Sequence, residues 1–196
     1  MQLQTRTFTP EEYLELEEKA EYKNEYRDGE IIAMTGGTTN HNEIAGNLYA
    51  YLKFQLKRQP YKVYIGDVRL WIPKHRQYTY PDVMVIRGEP VYTDKGTTTV
   101  TNPMLIAEVL SKSTQNYDQG DKFAYYRSIP EMQEYLLIDQ TRSRVMQYRK
   151  TEQGWLLTDY ESENSVVRLG TVELEIGFGD LYEGVSFDEQ ELASDE

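Results

Sequence analysis

Two short apolar runs, each carrying a single acid, constrain this chain more than any other feature. The first reads Tyr80-Pro81-Asp82-Val83-Met84-Val85-Ile86, the second Met104-Leu105-Ile106-Ala107-Glu108-Val109-Leu110. Runs of this length, rich in Val, Ile and Leu and bounded by turn residues, read as buried strands. A carboxylate in such a strand is costly to desolvate unless it is paired or bound to a cation. Alternate residues of a strand share a face, so Asp82 lies with Met84 and Ile86, and Glu108 with Ile106 and Leu110. If the two strands are neighbours, the acids converge. Carboxylates about 4 Å apart repel by roughly 4 kcal/mol at an effective dielectric of about 20. Either one of them then holds a proton or a cation sits between them.

Oxygen-only ligands suit magnesium or manganese, and the backbone carbonyl of Val109 supplies a third ligand. Lys122, one turn into the following helix, has a stem long enough to bring its ammonium beside the acids. There it orients an attacking water or stabilises developing negative charge. The plainer alternative makes Asp82 a turn residue after proline and Lys122 a solvated helix lysine.

The surrounding pattern is that of an α/β or α+β chain with a mixed β-sheet core flanked by helices. Thr9-Pro10-Glu11-Glu12 starts a helix that runs to about Ala20, with Tyr13 and Leu16 inward. Asp28-Gly29 marks a hairpin between Glu25-Tyr26 and residues 31–34. The longest helix is expected from Asn40 to Arg58, with Asn40 and Glu43 as a capping pair and Pro60 beyond its end. Val63 to Ile72 alternates like one strand, and Thr93 to Thr101 reads as a loop. A helix from Asp118 to Ser128 crosses between the Glu108 strand and one at Glu134 to Ile138, a local βαβ unit. Strands then follow near 144–148, 155–160 and 172–176.

At 196 residues the chain is most simply one domain, 1–196, ending in an acidic tail of about 187–196. It has no cysteine and only His41 and His75, which removes disulfides, cysteine-ligated zinc and histidine-rich metal sites. No run approaches the length of a membrane span, so a cytoplasmic protein is the default. The net charge of -12 argues against broad non-specific binding to nucleic acid, which depends on neutralising phosphates. A local basic surface at Lys53, Lys57, Arg58 and Lys62 remains compatible with that total.

Pro81-Asp82 followed by Glu108-Val109 in an apolar strand resembles the PD-(D/E)XK superfamily of restriction-endonuclease-like nucleases. More narrowly the chain is similar to the Uma-type restriction endonuclease family of bacteria. The shared pattern spans nearly the whole chain. It includes Glu25 with Asp28-Gly29-Glu30, His41, Tyr80-Pro81-Asp82-Val83, Glu108-Val109-Leu110-Ser111 with Ser113-Thr114, then Asp118, Lys122, Tyr125 or Tyr126, and Glu134-Tyr135. The resemblance implies a restriction-endonuclease-like fold, a DNA substrate, Mg2+ or Mn2+ as cofactor, and Asp82 and Glu108 as metal ligands. One departure stands out. The motif's lysine belongs two residues after Glu108, where this chain has Leu110. Lys112 shares the parity of Glu108 but falls in an expected loop, so Lys122 is the better substitute.

Weaker candidates have ordinary structural roles as their alternatives. Glu25 approaches the metal from the hairpin or is an exposed strand residue. His41 touches phosphate or polarises water, or makes a bond at a helix start. Glu43 is a further ligand or a cap. Asp67 adjoins Asp82 without a nameable partner, Asp118 caps its helix, and Tyr125 and Tyr126 pack. Ser111, Ser113 and Thr114 form a polar loop that meets phosphate or simply turns. The expectation is a metal-dependent DNA endonuclease. The alternatives are a noncatalytic homodimeric binding module of the same fold, favoured by the charge and by Leu110, and a metal-dependent hydrolase of a small phosphorylated substrate.

Overall fold

The computed structural model describes residues 6–93, 96–111 and 117–187. Helix α1 (Pro10–Glu17) opens on the expected reciprocal cap: Thr9 accepts from the Glu12 N–H, and the Glu12 carboxylate accepts from the Thr9 N–H. Tyr13 is buried and donates to the Asn24 carbonyl at 2.6 Å. Leu16 is 48% exposed, against the inward placement expected for it, because Tyr13, with Leu14 beside it, supplies the inner face of this two-turn helix.

Strands β1 (Asn24–Arg27) and β2 (Glu30–Ala33) form the expected hairpin. Asp28 and Gly29 both take positive φ, 40° and 110°, the backbone a two-residue turn of this hand requires.

Helix α2 (Thr39–Gln55) is slightly shorter than expected, and its cap differs. Thr38, not Asn40, accepts from the His41 N–H. The Asn40 amide reaches the Ser186 carbonyl at 2.7 Å instead, and Glu43 is exposed beside Gly184 rather than capping. Ile44, Leu48 and Leu52 are fully buried along one stripe, each contributing about 1.5–3 kcal/mol by leaving water.

The single strand expected over 63–72 is two, β3 (Tyr61–Ile65) and β4 (Arg69–Ile72), in different sheets. Gly66, at φ 57°, turns the chain between them, and its N–H bonds the Asp82 carbonyl at 3.0 Å. Strands β5 (Gln77–Thr79) and β6 (Val83–Arg87) follow. A short strand β7 (Thr99–Val100) lies where a loop is expected, and β8 (Leu105–Leu110) carries Glu108. Among the described residues of the crossover, a wide π-helical turn at Asp118–Lys122 leads into α3 (Phe123–Tyr126) in place of one regular helix. Such turns are frequent at functional sites.

The remaining strands are β9 (Glu134–Asp139), β10 (Val145–Thr151), β11 (Gly154–Tyr160), β12 (Val166–Leu169) and β13 (Leu174–Gly177), before a short helix α4 (Phe178–Leu181). Strand β12 has no counterpart among the expected elements; it pairs only with β13, in a two-stranded ribbon.

The protein is a mixed α+β fold. Its main sheet has the order β11-β10-β9-β8-β6-β3, with β8 and β9 parallel across the crossover and the other pairs antiparallel. A second sheet runs β2-β1-β5-β4-β7. The period of two in the main strands splits the core. Val83, Val85, Ala107 and Val109 face α2, while Met84, Ile86, Ile106 and Leu110 face β4 of the second sheet and Tyr126 of α3. Glu108 belongs by parity to this second face, at the seam between the two sheets. Among the described residues no helix is long and apolar enough to cross a membrane.

Candidate active site

The register of β6 against β8 pairs Met84 with Ile106 and Val83 with Ala107. Continued by one residue, it sets Asp82 opposite Glu108. The Val109 N–H donates to Asp82 Oδ2 at 2.8 Å, which fixes the Asp82 carboxylate across the β8 backbone. The other oxygen, Oδ1, lies 3.0 Å from His41 Nε2, delivered by the first turn of α2. A carboxylate only accepts, so Nε2 carries the proton of that bond.

On the β8 side, Glu108 Oε1 receives the Tyr126 hydroxyl at 2.6 Å and stands 3.0 Å from Lys122 Nζ. The same ammonium lies 3.1 Å from Asp118 Oδ1 and 3.8 Å from Glu25 Oε1. Glu25 reaches the cluster from β1 in the second sheet. It accepts from the Thr79 hydroxyl on one oxygen and from Arg27 at 2.7 Å on the other. The Arg27 guanidinium in turn lies 3.6 Å over the Tyr117 ring, whose hydroxyl accepts from Gln77 at 2.7 Å.

Burial decides the electrostatics. Glu25, Glu108, Asp118 and Lys122 are all buried, while the side chains of Asp82 and His41 are 20% and 23% exposed. Asp82 and His41 are therefore the members of the cluster that meet solvent. Desolvation pushes the Glu108 carboxyl up to about 8; the attraction of Lys122 opposes this, and repulsion from Asp82 and Asp118 adds to it. Burial also acts to raise Asp82, but the His41 bond and charge and the Val109 N–H hold its carboxyl below the ordinary value. Burial acts to lower His41, and the Asp82 bond and charge raise it. For Lys122, desolvation is outweighed by Glu108, Glu25 and Asp118, so its ammonium titrates well above the usual lysine range. Burial acts to raise Glu25, but Lys122, Thr79 and Arg27 together keep it below the ordinary glutamate value. The cluster thus contains one buried acid whose charge the surrounding protein only partly compensates.

A family model described as "Putative restriction endonuclease" matches residues 10–178. The chain belongs to the Uma2 family. It is 44% identical over 171 residues to the uncharacterized protein sll1609 of Synechocystis, covering 87% of this chain and 97% of that protein. It is 36% identical over 180 residues to the uncharacterized protein slr1290 of the same organism, covering 91% and 93% respectively. A crystal structure from Anabaena variabilis, titled as a putative nuclease belonging to DUF820, superposes with a TM-score of 0.72. That match covers 89% of this chain and 97% of the other at 20% identity, a likeness of fold.

Within this Uma2 chain the departure at position 110 has a geometric counterpart. Leu110 is buried in the apolar layer with Ile106 and Tyr126, two residues beyond Glu108 on the same face. The ammonium beside Glu108 arrives from the crossover instead, on Lys122. Lys122 joins Glu108 and Glu25 in one ion-paired group, and Asp82 pairs with His41 beside it, whereas Glu43 is exposed beside Gly184. Asp67 stands apart from that group: it sits in the turn after β3 and pairs with Lys23. Lys112, Ser113 and Thr114 lie outside the described residues, as do residues 188–196 of the acidic tail.

Two residues do more than the sequence implies. Asp118, expected as a cap, faces Lys122 at 3.1 Å, a pairing signalled by the i,i+4 spacing of the two residues. Tyr126, expected only to pack, does so and also holds Glu108 through its hydroxyl. Arg27 is legible as well, sharing the face of Glu25 two residues away. Thr79, Gln77 and Tyr117 have no local signal; Thr79 and Gln77 come from the second sheet and Tyr117 from the crossover.

Among the described residues no three His, Asp or Glu side chains are grouped so as to hold a metal ion. The donors at hand are the two carboxylates of Asp82 and Glu108, with Glu108 short of compensating positive charge. Magnesium is commonly held by one or two carboxylates, with water and substrate phosphate completing its shell, so this pair fits such an ion. A surface recess of about 390 Å³ lies elsewhere, lined by Arg142, Arg144, Glu161 and Phe187 among others, and includes none of the clustered acids.

Proposed function

We propose that this Uma2 protein is a divalent-metal-dependent endonuclease that hydrolyses DNA phosphodiester bonds. What supports the reading is the β6–β8 register, which continued by one residue sets Asp82 opposite Glu108, together with the Lys122 ammonium 3.0 Å from Glu108. Asp82 and Glu108 would hold Mg2+ or Mn2+, with the Val109 carbonyl as the further backbone ligand. The ion supplies Lewis-acid polarisation of the phosphate and lowers the pKa of bound water. The protein's own groups do the rest. The Val109 N–H and His41 orient Asp82, and Tyr126 fixes Glu108. Lys122 stays protonated, so it contributes positive charge toward the pentavalent transition state and is not the base that takes the water proton. A cytoplasmic homodimer belongs to the same reading; sedimentation of the purified protein tests the dimer.

Supercoiled plasmid incubated with the purified protein and Mg2+ or Mn2+ is the test. Nicking that is lost in Asp82→Ala and in Glu108→Ala is the expected result. No nicking by the native chain, or equal nicking by Asp82→Ala, refutes it. The net charge of -12 and Leu110 favour a second reading, a binding module without catalysis. That module would show no manganese affinity that Glu108→Ala removes. Turnover of small phosphodiesters with plasmid left intact would instead identify a hydrolase of small phosphorylated substrates.

A further inference from the structure

Strand β11 forms one margin of the main sheet and has no further strand beside it among the described residues. It is seven residues long, and Leu156 and Leu157, neighbours on opposite faces, are each 48% exposed. The ladder shows which backbone groups look outward. The Lys150 N–H bonds the Gln133 carbonyl and the Asp139 N–H bonds the Arg144 carbonyl, so even-numbered residues of β10 bond to β9 and odd-numbered ones to β11. Their partners on β11 are Gly154, Leu156, Thr158 and Tyr160. The N–H and C=O groups of Trp155, Leu157 and Asp159 therefore point away from the sheet. The opposite margin is blunted. Counted from the Gly66 N–H bond to Asp82, the Val63 carbonyl looks outward on β3, and there the Lys53 ammonium reaches it at 3.4 Å. The outer strands of the second sheet, β7 and β2, have only two and four residues. A long, bare edge with apolar side chains is a template for another strand.

We propose that β11 is the surface through which two copies of this chain join, antiparallel, about a two-fold axis at Leu157. Leu157 is the middle residue of the strand, so an axis there overlaps the whole of β11 with its copy. Leu157 meets the partner's Leu157, and Trp155 meets the partner's Asp159. Every outward N–H and C=O of the strand then bonds to one on the partner. The side chains agree with that register. Tyr148 stands across β10 from Leu157 and stacks on Phe123, so the centre becomes an apolar row continuous with the core. Lys150 lies beside Trp155 on the same face, which brings its ammonium toward the partner's Asp159, and no acid of the strand stands opposite an acid. The two six-stranded sheets become one continuous sheet. A second copy is the fitting occupant because an identical strand repeats this pattern from both sides, and such a contact closes at two. The surface rests on the homodimer of the reading above and not on its metal chemistry: β10 and β9 stand between β11 and the Glu108 strand.

Sedimentation of the native chain over a range of concentrations is expected to show a dimer. Leu157→Lys sets two ammonium groups against each other on the axis, and Leu157→Pro removes an outward N–H without touching the β10 ladder. Each is expected to weaken association by about tenfold or more. The native chain has no cysteine, so a single introduced one reports the axis. Leu157→Cys is expected to form a disulfide-linked dimer under mild oxidation, because directly opposed residues of an antiparallel pair stand about 5.5 Å apart at Cα, within disulfide reach. Val166→Cys, on β12 and comparably exposed at 46%, is expected to stay uncrosslinked. Far-ultraviolet circular dichroism checks that the variants are folded, and if the lysine and proline variants are not, the cysteine pair decides. Leu157→Cys that crosslinks no faster than Val166→Cys, or a folded Leu157→Lys that dimerises like the native chain, overturns the surface and leaves the homodimer standing. A native chain that is monomeric at every concentration overturns both. Plasmid nicking is scored separately and decides the metal reading whichever of these results appears.

Discussion

Replacing Glu108 by Gln separates the cost of its charge from the value of its shape. The side chain is 3% exposed, its Oε1 receives the Tyr126 hydroxyl, and an amide oxygen can keep that bond. What changes is ionisation. Burial moves the carboxyl from its usual 4.5 up to about 8, so the neutral form is favoured in the folded protein without metal. The folded value lies above the unfolded one. The stability this provides is therefore fully present below about 4.5 and drains away as the pH climbs through about 8. Each tenfold difference in proton affinity between the folded and unfolded chain is worth about 1.4 kcal/mol. The native protein accordingly loses on the order of 4 kcal/mol between about pH 5 and pH 8 from this group alone. The amide of Glu108→Gln does not titrate, so the variant loses nothing by this route. Urea denaturation with chelator present, for both proteins across that range, reads the effect. The stability difference is expected to move toward Glu108→Gln by several kcal/mol as the pH rises. A difference that does not change with pH, or that moves the other way, refutes the placement of a charge-poor acid at this position.

Tyr126→Phe removes a buried 2.6 Å bond to Glu108 and is expected to cost about 1–3 kcal/mol in the same denaturation assay; an unchanged midpoint contradicts the contact. Asp82→Asn removes the bond and charge that raise His41, leaving burial unopposed, so the His41 titration followed by nuclear magnetic resonance is expected to shift to lower pH, and an unmoved curve argues against the pair. Gly29→Ala places a Cβ at φ 110° and 3.3 Å from the Thr7 side chain, and an expected loss of about 1–2 kcal/mol checks the hairpin that delivers Glu25.

The parts of the fold legible in the sequence are those with local causes. The Thr9 cap, the Asp28-Gly29 turn and the apolar periodicity of α2 each act within a few residues and stand where they are expected. The strands after Asp82 and around Glu108 are legible because a buried run with one acid leaves few alternatives; Asp82 itself stands in a bend before β6, where its carboxylate turns to His41 and the Val109 N–H. The illegible parts depend on the third dimension. Val63 to Ile72 reads as one strand only if Gly66-Asp67 is passed over, and it is there, at a positive φ, that the chain leaves one sheet for the other. The four-residue strand β12 is too short to show a period of its own and buries only Val167 and Leu169. Within the site, Lys122 is found by its reach. Tyr117, Thr79 and Gln77 enter from the crossover and the second sheet, which no spacing along the chain announces. The short α1 similarly buries Tyr13 and leaves Leu16 in solvent, a choice made by what packs against it.

Crystals of the native protein soaked in Mn2+, with the ion located by its anomalous scattering, test the central claim most directly. The account predicts a peak bonded to a carboxylate oxygen of Asp82 and of Glu108, with the Lys122 ammonium still between Glu108, Asp118 and Glu25. A map without manganese between those two carboxylates, or with the ion bound by other residues, would contradict it.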